Sequence, residues 1–203
     1  MNVAYGSLRL GAATLYRRML SRPHVARWSE LDSFEAEWDS RSALIADLVA
    51  PGARVLEFGA GRRRLEALLP TGCTYVPSDI VSRGPGTLVV DLDARPLPSL
   101  SAIEPDVVVF AGVFEYLGGL ADVPAWLAGE VSTCIASYEC AASPARSVAR
   151  LRETARRYRN GWVSTYTEDE LVDLFAQVDF TCTSRRTWTT PDGAERVFVF
   201  ERR

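Results

Sequence analysis

The chain has no lysine, so all 23 of its basic side chains are arginine. It has one histidine, His24, and one glutamine, Gln177. These gaps exclude whole chemistries. Without lysine there is no Schiff base to a carbonyl or to pyridoxal phosphate. There is no phosphate-loop lysine and no kinase-type strand lysine. A single imidazole cannot furnish a zinc site of two or three histidines, and no metal is expected. A Ser-His-Asp or Cys-His device would have to use His24. The cysteines at 73, 134, 140 and 182 form no CxxC pair, so reduced thiols without a disulfide framework are expected. No stretch approaches the ~20 apolar residues that cross a bilayer. The opening MNVAYGSLRLG lacks a charged start followed by an apolar run. The expectation is a cytoplasmic protein with no membrane insertion. A net charge of −3 argues against general nucleic-acid binding, which needs many phosphate-neutralising cations.

What is present is ordinary for a soluble chain: 47% hydrophobic and 24% charged residues over 203 positions. That length predicts one domain, or one with an appendage. Residues 1–40 read as a helical cap and 41–203 as the main domain. In the first fifty residues Leu8, Leu10, Leu15, Tyr16, Met19 and Leu20 recur near helical spacing, and a second helix is predicted over 33–49 before Pro51 and Gly52. The pattern then changes to short apolar runs bounded by turn residues. Strands are predicted over 54–58, 73–76, 87–90, 106–110 and 131–138. Helices are predicted over 62–69 and 123–127. Strands alternating with helices indicate a parallel sheet with right-handed crossovers, covered on both faces. Only a short segment joins the second and third strands, too short for a helical crossover, so a bare loop is predicted there. Beyond residue 146 come a basic helix to 159, a helix starting at Thr167 with acids in its first turn, and an antiparallel strand pair turning at 191–193.

The informative stretch is VLEFGAG, residues 55–61. A strand ends, and two glycines follow at alternate positions where the backbone can approach a ligand closely. Ligands of open parallel sheets bind beyond the carboxyl ends of the strands. The third glycine of a dinucleotide fingerprint is missing, since position 64 is Arg. Glu57 precedes the turn, where it would repel a pyrophosphate but suits a ligand carrying an ammonium and a sulfonium. Asp79 ends the second strand, placed to accept from two ribose hydroxyls. Asp91 and Asp93 follow the third, where a carboxylate could accept from an adenine amino group.

From about Trp38 onward the sequence resembles the class I S-adenosylmethionine-dependent methyltransferases. The resemblance implies a three-layer Rossmann-like sandwich whose seven-stranded, mostly parallel sheet has an antiparallel C-terminal strand. It implies S-adenosylmethionine as cofactor, with Glu57, Gly59, Ala60 and Gly61 under its methionine part. Asp79 would hold ribose and Ile80 would pack on adenine. Either Asp91-Leu92 or Asp93-Ala94 would read the adenine amino group, the stretch DARPLP being similar to the family's D-A-x-x-L-P. Ala111 and Gly112, after DVVVF, would border the cofactor. Two departures stand out. Arg63 lies where many members carry a glycine, and Glu115-Tyr116 replaces the family's Glu-His pair.

Methyl transfer is an in-line displacement that positioning alone can accelerate. A base is needed only for an acceptor protonated at neutral pH, and the candidates are Tyr138, Tyr116, His24 and Glu139. Trp162 and Tyr166 could wall the acceptor. The basic helix over 146–159 could hold an anionic one, although a solvated face is the usual role of such a run. The leading expectation is a methyltransferase acting on oxygen or nitrogen of a small polar acceptor. A non-catalytic cofactor- or partner-binding module is the alternative, and an enzyme acting on RNA or protein a third.

Overall fold

The computed structural model describes residues 38–142, 147–190 and 193–202. Most of the expected cap over 1–40, and His24 with it, lies outside the described residues. The described elements run, in order, α1 (Trp38–Ala46), β1 (Arg54–Phe58), β2 (Thr74–Asp79), β3 (Leu88–Val89), β4 (Val107–Phe110), α2 (Val123–Ala128), β5 (Thr133–Tyr138), α3 (Val148–Arg159), α4 (Glu168–Ala176), β6 (Phe180–Thr190) and β7 (Gly193–Arg202).

The strands form a seven-stranded sheet in the order β3-β2-β1-β4-β5-β7-β6. β1 to β5 pair in parallel, and β7 runs antiparallel to both β5 and β6. This is the expected Rossmann-like architecture with its antiparallel C-terminal strand. The two-residue period of a strand sends alternate side chains to opposite faces. Leu56, Phe58, Val108, Phe110, Cys134 and Ala136 enter one core with Val123 and Leu127 of α2 and Leu171 and Phe175 of α4. Val55, Val107, Val109 and Ile135 enter the other with Ile45 and Ala46 of α1 and with Leu65. A sheet covered on both sides needs apolar residues on both faces, and VVVF of β4 and Val55, Leu56 and Phe58 of β1 supply them.

Two local features follow the sequence closely. No helix crosses between β2 and β3, as predicted. At the start of α4 the Thr167 hydroxyl accepts from the Glu170 N–H at 3.2 Å, while the Glu170 carboxylate accepts from the Thr167 N–H at 2.8 Å. That reciprocal cap is worth about 1 kcal/mol.

One feature departs from expectation. Residues 62–69 form turns and a single 3₁₀ stretch, Glu66–Leu68, instead of an α-helix. The backbone of Arg63 is left-handed, with φ 57°, which an α-helix cannot contain.

Candidate active site

Phe58 of β1 lies opposite Ser78 of β2 and Phe110 of β4, so these strands end at one level. Beyond those ends opens a cavity of about 610 Å³, within the size range of small-molecule sites. Glu57, Gly59, Ala60, Gly61, Asp79, Ile80, Asp91, Leu92, Asp93, Ala111 and Gly112 all line it. The turns after β1 and β4 depend on glycine. Gly59 has φ 74°, and a Cβ there would strike Val113 Cγ2. Gly112 has φ 67°, and its Cβ would meet Arg41 Nη1 at 2.6 Å. Any other residue at these turns would be strained and would displace its neighbour.

The carboxylates on this side differ in surroundings. Glu57 is buried and accepts a hydrogen bond from the Tyr75 hydroxyl. Burial pushes its pKa up to about 8, against the opposing pull of the Tyr75 hydrogen bond and Arg41. A cationic ligand beside it would favour its ionised form. Asp79 is also buried. Its Oδ2 accepts from the Gly61 N–H and from Arg83 Nε, each at 3.0 Å. Among the described residues its Oδ1 takes long contacts, from the Val81 N–H at 3.3 Å and Arg83 Nη2 at 3.5 Å. Asp93 spends its two oxygens on the Gly118 and Gly119 amides, at 3.2 and 2.8 Å. Asp91 is exposed, and its Oδ1 accepts from the Asp93 N–H at 2.9 Å. Asp93 therefore braces a loop, and Asp91 keeps more capacity to accept from a ligand.

The opposite wall is assembled from distant parts of the chain. Arg41 of α1 holds both carboxylate oxygens of Glu195 at 3.0 Å. Its guanidinium lies over Trp38 at 5.4 Å and Trp188 at 5.1 Å. All four of these residues line the cavity, as do Glu115, Tyr116, Glu139, Arg156, Arg159 and Trp162. Trp162 Nε1 donates to the Tyr116 hydroxyl at 3.1 Å. Glu115 is 3% exposed, and burial pushes its pKa up to about 7. Glu139 is raised too, by burial, with Arg157 and Arg156 opposing.

Tyr138 departs from expectation. Its ring does not face the cavity but is fully buried in the core with Cys134 and Ala136. Strand alternation puts it on their face of the sheet. Its hydroxyl lies 3.1 Å from Ser164 Oγ and accepts from the Tyr166 N–H at 3.0 Å. Burial pushes its pKa up to about 12. Tyr166 packs beside this core and is not among the cavity's lining residues, so of the two expected aromatic wall residues only Trp162 is in place. The basic helix divides its arginines. Arg150 is tied to Glu170 at 2.6 Å. Arg157 is fully buried between Tyr138 and Trp162, at 5.3 and 4.9 Å from their ring centres. Arg156 and Arg159 reach the cavity.

No local sequence signal marks Arg41, Trp188 or Glu195 as a site residue, and Glu115 stands out only as half of a substituted pair. Arg41 and Glu195 are 154 positions apart, and no short motif connects them.

Residues 31–185 match the family model described as a methyltransferase domain. No curated protein matches the sequence. Among solved structures, the 1,6-didemethyltoxoflavin-N1-methyltransferase of Burkholderia thailandensis, with bound 1,6-didemethyltoxoflavin and S-adenosylhomocysteine, aligns with a TM-score of 0.63 at 18% identity, over 96% of this chain and 89% of that one. The magnesium protoporphyrin IX methyltransferase of Synechocystis aligns with a TM-score of 0.59 at 16% identity, over 94% of this chain and 99% of that one. The mitomycin 7-O-methyltransferase aligns with a TM-score of 0.60 at 14% identity, over 92% of this chain and 60% of that one. At these identities the likeness is one of fold. Among the described residues no helix is long and apolar enough to cross a membrane.

Proposed function

The chain belongs to the family of methyltransferase domains, and on that premise we propose that it transfers a methyl group from S-adenosylmethionine to an oxygen or nitrogen of a small polar acceptor. The observation that carries this reading is that the residues assigned to the cofactor from sequence, Ala94 excepted, line one cavity at the carboxyl ends of the strands. The donor set fits the cofactor's parts. Gly59 and Gly112 hold positive-φ turns at the cavity wall, packed against Val113 and Arg41. Glu57 suits an ammonium, Asp79 the ribose hydroxyls and Asp91 the adenine amino group. Ile80 and Leu92 offer apolar contact to the adenine. The cofactor has no phosphate, so the absence of lysine costs this site nothing.

When bound, the cofactor supplies an electrophilic methyl on a sulfonium. The protein's share is to align the acceptor with that methyl and to hold out water, and alignment alone can provide much of the acceleration. Tyr116 and Trp162 wall the other side of the cavity, and Arg156 and Arg159 stand at its exposed rim. Guanidinium groups there can hold a negative charge on the acceptor.

Calorimetry with S-adenosylhomocysteine tests the assignment. The wild type should bind, and Asp79→Ala should lose about 1–3 kcal/mol of affinity, the worth of hydrogen bonds to a charged acceptor. No binding by the wild type would overturn the cofactor assignment. Equal affinity in the variant would overturn the ribose role.

A further inference from the structure

We propose that Glu115 takes the proton that the acceptor's nitrogen or oxygen loses, so that this site methylates N–H or O–H groups and not carboxylates. The inference rests on the methyltransferase reading and deepens it.

Glu115 follows β4 in the turn Phe114–Tyr116 and lines the cavity. Its backbone is pinned, because its carbonyl accepts from the Val163 and Ser164 N–H groups at 2.7 and 3.1 Å. Its side chain is pinned at one oxygen, where Oε1 accepts from the Glu139 N–H at 2.8 Å. The other oxygen, Oε2, is buried and has no hydrogen-bond partner among the described residues. An unsatisfied buried acceptor is costly, and a donor on a bound acceptor would satisfy it.

The groups facing Glu115 do not neutralise it. Arg41 of α1 is committed to Glu195 through both carboxylate oxygens. Burial raises the Glu115 pKa most and Glu195 of β7 adds to it, whereas the Glu139 amide, the residue's own amide and Arg41 lower it. Tyr138 at the end of β5 and Cys140 just beyond it are both raised by burial, and both feel the charge of Glu115. Burial dominates and leaves Glu115 at about 7, close to where a general base works best at neutral pH.

The step balances without another reactant. The X–H proton passes to Glu115 Oε2. The X–H electron pair stays on the heteroatom, which forms the bond to the methyl carbon as the carbon–sulfur pair leaves with sulfur. Glu115 then returns its proton to solvent. A carboxylate acceptor has no such proton at neutral pH and would set a second anion against Glu115.

The test uses protein labelled with ¹³C at the glutamate carboxyls and saturated with S-adenosylhomocysteine, titrated by NMR from about pH 4 to about pH 9. The signal missing from Glu115→Gln should titrate near 7. A midpoint below about 5, the ordinary carboxylate range, would overturn the proposal whatever the acceptor. In parallel, S-adenosylmethionine with a deuterated methyl group is incubated with a small-metabolite extract. The wild type should label N–H or O–H compounds, with turnover rising as pH passes up through 7. Glu115→Gln should bind S-adenosylhomocysteine normally, turn over roughly 10²- to 10⁴-fold more slowly, and lose that pH limb. Methyl esters as the labelled products, or undiminished turnover in the variant, would overturn it. If Glu115→Gln does not fold, Glu115→Asp takes its place, with a displaced carboxyl signal to identify the residue. Failure of the wild type to bind S-adenosylhomocysteine would instead sink the methyltransferase reading.

Discussion

On one side of the cavity, Glu57, Gly59, Gly61, Asp79 and Asp91 stand at or just beyond the ends of three neighbouring strands, β1, β2 and β3. On the other, Arg41, Glu115, Glu139, Trp188 and Glu195 come from α1, the turn after β4, the end of β5, and β6 and β7. The first side is made by local rules. A strand ends, a glycine turns the chain, and a carboxylate sits at a fixed offset. The second is made by tertiary packing, in which Arg41 reaches across to Glu195 and lies over Trp38 and Trp188. Backbone errors should therefore damage the first side most, and lost charge pairs the second.

The largest effect is expected at Gly59. Gly59→Val puts a branched side chain at φ 74° and into Val113. It should cost about 3 kcal/mol of stability and abolish measurable binding of S-adenosylhomocysteine. Chemical denaturation and calorimetry read the two separately, and wild-type affinity in this variant would break the picture of a backbone cradle.

Next comes the opposite wall. Glu195→Gln leaves the Arg41 guanidinium, 7% exposed, without its counter-charge. Removing one partner of a buried pair is expensive, and the partial exposure of Glu195 reduces the loss here to about 2 kcal/mol in denaturant unfolding. The Glu115 titration should also move down, because Glu195 raises it.

The pH dependence of stability spans both sides. Glu57 and Glu115 are raised from an ordinary 4.5 to about 8 and about 7. Between those limits the folded state holds protons that the unfolded chain has released. This contribution to stability is complete below about pH 4.5 and is lost as pH rises through 7 and then 8. Glu57→Gln should flatten the fall between pH 5 and pH 8 by on the order of 2 kcal/mol. A wild type equally stable at both ends would contradict the burial of these groups.

The smallest change is expected at Tyr138. Tyr138→Phe removes a hydroxyl that accepts from the Tyr166 N–H in the core. About 1 kcal/mol of stability should go, with no change in ligand affinity. A hundredfold loss of turnover at wild-type stability would return Tyr138 to the chemistry.

The same contrast explains what could be read from the sequence. The sheet, its order of elements and the strand-end side of the cavity were legible because each signal spans a few residues, such as Glu57 to Gly61 or the acid ending β2. The helix predicted over 62–69 was misread because its three arginines look helix-compatible, while the left-handed backbone at Arg63 leaves no mark in composition. Tyr138 was misplaced because strand alternation, counted from Cys134 and Ala136, outweighs its position at the strand's end. Arg41, Trp188 and Glu195 were invisible because only the folded chain brings them together.

The central claim is that the cofactor occupies the strand-end side of the cavity. Hydrogen–deuterium exchange with and without S-adenosylhomocysteine tests it most directly. Added protection should fall on 57–61, 79–83, 91–93 and 111–113, the segments that line that side. No protection there, or protection confined to α3 and the strands β6 and β7, would contradict the account.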